Sequence, residues 1–139
     1  MKPYCAFISY TREDYDSAFR IYKALAECQI KCWLDKKCMK PGVNWRAAIR
    51  QAMKDSRYFL AVLSTSSVTD RGYMLGEIAD ALGILKEYAE DQPYLIPVRL
   101  NAVIPKSHAV LQDLNWLDMF PDWDQGIERL AEVLKEGCK

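Results

Sequence analysis

The sequence predicts an α/β fold, a flavodoxin-like three-layer sandwich around a central parallel five-stranded sheet. Apolar stretches of strand length alternate along the chain with stretches whose apolar residues recur at helical spacing. This alternation favours a parallel sheet covered on both faces, and right-handed crossovers then favour the flavodoxin-like arrangement. The 139 residues suit a single domain, residues 1–139, that builds its core without disulfides.

Five strands are predicted from apolar runs bounded by polar or turn-forming residues. They are Tyr4–Ser9, Ile30–Asp35, Arg57–Ser64, Tyr94–Leu100 and Asn115–Phe120. Pro97 removes one backbone donor from the fourth strand, which favours an edge strand or a bulge at that position.

Helices are predicted where apolar stripes follow these strands. The segment 11–14 (TRED) offers helix-capping side chains to the first helix. The third helix lies between the third and fourth strands, and the last helix spans Asp124–Glu136. The stripes of the first and third helices are Tyr15, Ala18, Tyr22 and Leu25, and Leu75, Ile78, Leu82 and Leu85.

The segment Lys36–Val43 is predicted to be a loop that turns at Pro41-Gly42. Asn44 can cap the second helix, whose apolar stripe is Trp45, Ile49, Ala52 and Met53.

Charge and composition limit the classes of partner. Nineteen basic residues oppose nineteen acidic residues, which argues against a bulk electrostatic grip on nucleic acid or on an anionic membrane. The N-terminus does not resemble a secretory signal, and the longest apolar runs are too short to span a bilayer. We therefore expect a cytoplasmic protein.

The five cysteines are accordingly interpreted as reduced thiols. Cys28, Cys32 and Cys38 lie close together in the sequence, but their spacing is not CxxC and no fourth ligand is near. The only histidine, His108, is distant, so no zinc or other metal site is expected.

In parallel sheets, ligands bind beyond the carboxyl ends of the strands, and the residues found there exclude several functions. A phospho-receiver needs acidic residues after the first and third strands, but these strands end in Ser9-Tyr10 and Ser64-Thr65. The SYTRED segment lacks the glycine of a flavin phosphate loop, and neither GxGxxG nor a P-loop occurs. A serine hydrolase would need GxSxG, which is also absent.

Glu77 is the strongest candidate for chemistry at this edge of the sheet. On a helix it lies about 200° from Leu75, off the apolar stripe, and it shares its face with Tyr73. Gly72 and Gly76 flank this turn, which indicates a close approach, although a solvated surface glutamate is the alternative.

Other candidates lie on the loops after the first two strands. Trp45 is either part of a core stripe or a stacking platform at the lip of the loop. Three lysines beside Pro41-Gly42, together with Arg12, are either solvated or able to neutralise a pyrophosphate. These lysines are Lys36, Lys37 and Lys40.

Several segments, in this order and spacing, resemble a TIR domain of the bacterial stand-alone type. The likeness covers nearly the whole chain and includes the family's first box, its BB loop and its aromatic-x-x-x-Glu segment. The segments are Phe7-Ile8-Ser9-Tyr10, Trp33-Leu34-Asp35 with Pro41-Gly42, Leu63-Ser64, Arg71–Glu77, Ile96–Leu100 and Trp116–Phe120.

The resemblance implies an enzyme that cleaves NAD+ into nicotinamide and ADP-ribose or a cyclic isomer. Glu77 matches the family's catalytic glutamate, and NAD+ is the substrate, with no cofactor. The residues implied to bind the substrate are Tyr10, Thr11, Arg12, Lys40, Trp45 and Tyr73. At Lys40 some members carry an acidic residue, and at Tyr73 many carry Trp.

The resemblance also implies interaction partners and leaves two alternative functions open. Expected partners are other TIR copies, met through the BB loop, and a downstream effector, in bacterial anti-phage signalling. The alternatives are a non-catalytic adaptor acting through TIR–TIR contacts, which would not require Glu77, and a sensor that binds NAD+ without cleaving it.

Overall fold

The computed structural model describes residues 2–65, 83, 94–104 and 114–138. These residues form one five-stranded sheet in which every neighbouring pair is parallel, and this confirms the predicted fold class. The strands are β1 (Tyr4–Ser9), β2 (Cys32–Trp33), β3 (Ser56–Leu63), β4 (Leu95–Arg99) and β5 (Leu117–Asp118). Their order across the sheet is β2-β1-β3-β4-β5, which is the flavodoxin-like order.

The described helices are α1 (Tyr15–Glu27), α2 (Asp35–Cys38), α3 (Trp45–Lys54) and α4 (Trp123–Gly137). A 3-10 turn at Arg12–Asp14 precedes α1. The helix predicted around Leu75–Leu85 lies outside the described residues, apart from Gly83. The prediction that Lys36–Val43 is wholly a loop was wrong, because the amides of Lys37 and Cys38 donate to the Leu34 carbonyl and close one helical turn.

Two apolar layers cover the faces of the sheet. On one face, Ile21 and Leu25 of α1 pack with Leu130 and Leu134 of α4. On the other face, a separate core forms around Met53 of α3. The sheet is therefore enclosed by helices on both sides, as the alternating sequence pattern predicts.

A row of aromatic rings crosses the α3 face of the sheet. The Phe7 ring lies 5.0 Å from that of Trp33 and 5.3 Å from that of Phe59, with the planes nearly parallel. Phe59 in turn lies 6.4 Å from Tyr94. Because Phe7 is in register with both Trp33 and Phe59, these contacts fix the alignment of the three strands β2, β1 and β3.

Pro97 does not mark an edge strand, so that alternative was wrong: β4 lies between β3 and β5. The Leu100 amide donates to Leu63 of β3, whereas the Arg99 carbonyl accepts from Met119, beside β5. Odd-numbered residues of β4 therefore face β5, and the donor that Pro97 lacks falls on that side. Since β5 is only two residues long, this loss costs little pairing.

The interpretation of all five cysteines as reduced was also wrong. Cys5 of β1 and Cys138, directly after α4, form a disulfide with their Cα atoms 5.8 Å apart. Cys28, Cys32 and Cys38 are free thiols. Spacing along the chain could not reveal this pair, because 133 positions separate the two residues and only the fold brings them together. Within the described ranges, no helix is long and apolar enough to cross a membrane.

Candidate functional site

The carboxyl end of β1 is joined to the segment after β2 by a buried tyrosine. Tyr10 is 6 % exposed, and its hydroxyl donates to Asp35 Oδ1 at 2.5 Å. The same oxygen accepts from the Lys36 amide at 2.8 Å, so one carboxylate both receives the tyrosine and stabilises the first turn of α2. Tyr10, implied by the resemblance to bind substrate, thus anchors the loop that begins at Asp35.

The carboxyl ends of β1 and β3 are joined by a buried carboxylate. Asp14 Oδ2 accepts from Thr11 Oγ1 at 3.1 Å and from Ser64 Oγ at 2.5 Å. All three residues are buried. The expectation that the segment 11–14 caps the first helix was wrong, because neither the Thr11 nor the Asp14 side chain makes a capping hydrogen bond.

The loop after α2 closes in a tight turn at Pro41-Gly42, as predicted. The Val43 amide donates to the Lys40 carbonyl at 3.4 Å, and Gly42 has a φ of +86°. A proline followed by a residue of positive φ is the arrangement of a type II turn, in which glycine carries no steric cost. Asn44 then begins α3 as predicted, its Oδ1 accepting from the Ala47 amide at 3.0 Å.

Three of the residues implied to bind substrate are exposed at this edge. Arg12 lies in the 3-10 turn after β1, Lys40 in the loop after β2, and Trp45 at the first position of α3. Trp45 is 48 % exposed, which excludes the core position that its stripe allowed, whereas Ile49, next on that stripe, is buried. The Arg46 guanidinium lies 5.0 Å from the centre of the Trp45 ring. The edge therefore combines two cations with an accessible aromatic ring.

Two of the three clustered lysines contact aromatic rings of α1. Lys36 Nζ lies 4.2 Å from the centre of the Tyr15 ring, and Lys37 Nζ lies 4.8 Å from that of Phe19, both on α1. These cation–π contacts hold α2 against α1. Lys40, the third lysine of the cluster, is exposed beside the Pro41-Gly42 turn.

One of the three cysteines near β2 is buried as a protonated thiol. Burial raises the pKa of the Cys32 thiol to about 12, which disfavours the thiolate that zinc requires. Among the described residues, no group of three or more His, Cys, Asp and Glu side chains is gathered as metal ligands. The absence of a metal from the function remains a prediction.

The predicted catalytic residue Glu77 and its neighbour Tyr73 lie outside the described residues. Conversely, the structure brings together at this edge three polar residues that were not predicted as site residues: Asp14, Asp35 and Ser64. A signal was available, since Asp35 and Ser64 are the last residues of two predicted strands. Neighbouring parallel strands bring such residues together.

Comparisons with known proteins agree with this geometry. A family model described as "TIR domain" matches residues 6–131. No curated protein matches the chain.

Solved structures with the same fold come from metazoan proteins and from an activated resistosome. A TIR-STING receptor from C. gigas has a TM-score of 0.75 at 19 % identity, covering 96 % of this chain. The chain spans 40 % of that receptor's length. The TIR domain of the Toll-related receptor TRR-2 from Hydra magnipapillata has a TM-score of 0.65 at 18 % identity, covering 93 % of this chain and 98 % of its own. The TIR domains of the activated Roq1 resistosome, which recognises the pathogen effector XopQ, have a TM-score of 0.68 at 18 % identity, covering 94 % and 97 %.

Proposed function

The chain belongs to the TIR domain family, and on this premise we propose that it cleaves the nicotinamide–ribose bond of NAD+. The family includes members that carry out this reaction. The observation that carries the proposal is the extent of the family match, which runs over residues 6–131 and so includes Glu77. The products are nicotinamide and either ADP-ribose or a cyclic ADP-ribose isomer.

One carboxylate is enough for this chemistry. Glycosidases need a second carboxyl group because their leaving alkoxide must be protonated. In NAD+ the nicotinamide ring already carries the positive charge and departs neutral, so no general acid is required. The barrier is the formation of an oxocarbenium-like ribose. An ionised Glu77 would stabilise this cation and accept hydrogen bonds from the ribose hydroxyls, and preorganised charge of this kind contributes a few kcal/mol, or about 100–1,000-fold in rate.

The exposed residues at the carboxyl edge of the sheet fit the rest of the dinucleotide. The Arg12 guanidinium and the Lys40 ammonium match the charge of a pyrophosphate. The accessible face of Trp45 suits stacking against a base or the nicotinamide ring. The resemblance implies that Tyr73 supplies a second aromatic ring to the substrate site. NAD+ acts as the substrate, and the reaction needs neither a metal nor a further cofactor.

We further propose that other TIR copies are partners of this chain. Val43 and Trp45, which flank the cap of α3, are 47 % and 48 % exposed and give the loop an apolar tip suited to a contact between copies. A downstream effector would receive the nucleotide product, in bacterial anti-phage signalling. That residues 1–139 act as a single domain is part of the same proposal.

We place the reaction in the cytoplasm. The Cys5–Cys138 disulfide argues in the other direction, since disulfides are rare in reducing compartments. Separating the cytoplasmic from the secreted fraction of cells that make this chain, and probing each fraction for it, tests the placement: recovery in the secreted fraction would contradict it.

The alternative function is a non-catalytic adaptor that acts only through TIR–TIR contacts. The exposed apolar tip at Val43 and Trp45 favours it as much as it favours an assembled enzyme. The two functions differ in whether NAD+ is consumed.

The experiment is to incubate concentrated protein with NAD+ and to follow nicotinamide by chromatography. We expect release of nicotinamide, and Trp45→Ala should raise the KM for NAD+ while leaving the protein folded. Val133→Ala, which truncates another exposed apolar side chain, on α4, is the matched control. No release at any protein concentration would contradict the enzymatic proposal and favour the adaptor, and binding by calorimetry without release would favour a nucleotide sensor. Mass analysis of the products separates ADP-ribose from a cyclic isomer.

A further inference from the structure

Asp14 stands where α1 begins but does not cap that helix. Aspartate is among the preferred N-cap residues because its carboxylate accepts from the free amides of the first turn. Here the side chain makes no such bond, and the carboxylate instead turns into the protein toward Thr11 and Ser64. At 9 % exposure the charge is largely withdrawn from water. A carboxylate that capped the helix at the surface would stay in contact with water. The inward orientation of the Asp14 side chain therefore indicates a role other than capping.

The bond between Asp14 and Ser64 spans the point where the chain changes direction across the sheet. Strands β1 and β3 are neighbours, with Ser9 in register with Ala61 near their carboxyl ends. From β1 the chain crosses to β2 on one side, and from β3 it crosses to β4 on the other side. The strand order therefore changes direction between β1 and β3, and in this fold ligands bind in the crevice at such a point. Asp14 ties the loops after β1 and β3 together across 50 positions of the chain.

The same carboxylate also sets the shape of the turn that presents Arg12. The Asp14 amide donates to the Thr11 carbonyl at 2.9 Å, and the Thr11 hydroxyl donates to Asp14 Oδ2 at 3.1 Å. Both ends of the 3-10 turn are therefore fixed by main-chain and side-chain bonds. Thr11 is 4 % exposed and its hydroxyl is directed to Asp14, whereas Arg12 between them is exposed. Hydrogen bonds to a carboxylate are stronger and more directional than those between neutral groups, which suits this fixing role.

We propose that Asp14 is a positioning residue that fixes the turn presenting Arg12 to the pyrophosphate of NAD+. The inference rests on the proposed function, since it assumes that Arg12 meets the dinucleotide. Asp14 touches no reacting atom and acts through Arg12. Thr11 and Ser64 supply the hydrogen bonds that keep the carboxylate in position.

The test is a double-mutant cycle in the NAD+ assay. Asp14→Ala should raise the KM for NAD+ about tenfold or more with a much smaller effect on kcat, and Asp14→Asn should restore most of the loss, because both hydrogen bonds end on one oxygen that an amide can replace. In an Arg12→Ala background, Asp14→Ala should raise KM by less than about twofold, since the group it positions is already gone. Glu13→Ala, in the same turn and exposed, is the matched control and should leave KM unchanged.

Each outcome decides the inference. A wild-type KM in Asp14→Ala, or effects of Asp14→Ala and Arg12→Ala that multiply, would overturn it while leaving the proposed function intact. If the wild type binds NAD+ without cleaving it, the same cycle is measured as Kd by calorimetry. A wild type that neither binds nor cleaves NAD+ removes both the proposed function and this inference. If Asp14→Ala does not fold, Thr11→Val with Ser64→Ala removes the two donors instead, and an unchanged KM in that variant contradicts the inference.

Discussion

The Arg99 guanidinium and the Asp118 carboxylate form a bidentate pair at the carboxyl ends of β4 and β5. Arg99 Nε donates to Asp118 Oδ1 at 2.7 Å, and Nη2 donates to Oδ2 at 2.9 Å. The two residues are partners in the strand register. The guanidinium also lies over the rings of Trp116 and Phe120, 4.4 and 5.4 Å from their centres. The pair therefore holds the two-residue strand β5 in place and joins the two late segments that resemble the family.

This pair predicts a specific dependence of stability on pH. The hydrogen bonds from Arg99 hold the pKa of Asp118 below its usual range. A carboxyl group whose folded pKa is depressed contributes stability above its unfolded pKa, about 3.9, and loses that contribution as pH falls through the folded pKa. Asp118→Asn should lower the free energy of unfolding by about 1 kcal/mol at pH 7, because the pair is partly exposed. The difference from wild type should begin to shrink as the pH falls below about 4 and should vanish once the pH lies below the folded pKa of Asp118.

Denaturant unfolding at several pH values measures this difference. Glu132→Gln, an exposed acid on α4, is the matched control and should show no comparable change. A cost of Asp118→Asn that stays constant from pH 7 to pH 3 would show that the carboxylate does not act through its charge.

The disulfide predicts that the C-terminal helix depends on oxidation for part of its stability. A link between Cys5 and Cys138 closes nearly the whole chain into one loop, and disulfides of this kind stabilise proteins by about 2–4 kcal/mol. Cys138→Ser should lower the free energy of unfolding by such an amount under oxidising conditions and by little in reductant. Cys28→Ser, which removes a partly exposed free thiol, is the control. Five thiols titrating in denaturant without reductant would contradict the disulfide.

Gly137, at the end of α4, lies against the ring of Tyr58. A Cβ at this position would clash with the Tyr58 hydroxyl and would come 2.5 Å from the ring carbon that bears it. Because that ring is buried and rigid, Gly137→Ala should destabilise the fold by about 1–3 kcal/mol. Gly83→Ala is the matched substitution, since a Cβ there meets nothing within 4 Å, and it should be neutral or stabilising. Equal thermal midpoints for the two variants would argue against this contact.

The sheet could be predicted from the sequence because its strands are short, buried and apolar. Strand β3 differs from its prediction by one residue at each end, and β1 matches its predicted bounds. The predicted bounds of β2 and β5 extended beyond the observed strands, because Leu34 and Met119 are as buried as the strand residues beside them. An apolar run in the sequence indicates which residues are buried, but it does not indicate which of them pair with a neighbouring strand.

The polar connections at the carboxyl edge could be predicted only in part. Asn44 caps α3 as its position before an apolar stripe indicates. The same reasoning failed at Asp14, where tertiary hydrogen bonds to Thr11 and Ser64 compete with capping, and Ser64 is 50 positions away. Trp45 illustrates a different limit: its stripe allowed both a buried and an exposed position, and only the fold places it at the surface.

The most direct test of the central claim is the rate of nicotinamide release by Glu77→Gln, which keeps the volume of the side chain and removes its charge. We predict that kcat falls by about 100-fold or more, the effect of removing one preorganised electrostatic group. Glu132→Gln should cleave NAD+ at the wild-type rate, and near-equal binding of NAD+ by wild type and Glu77→Gln would place the loss in the chemical step. Release by Glu77→Gln at the wild-type rate would contradict the account.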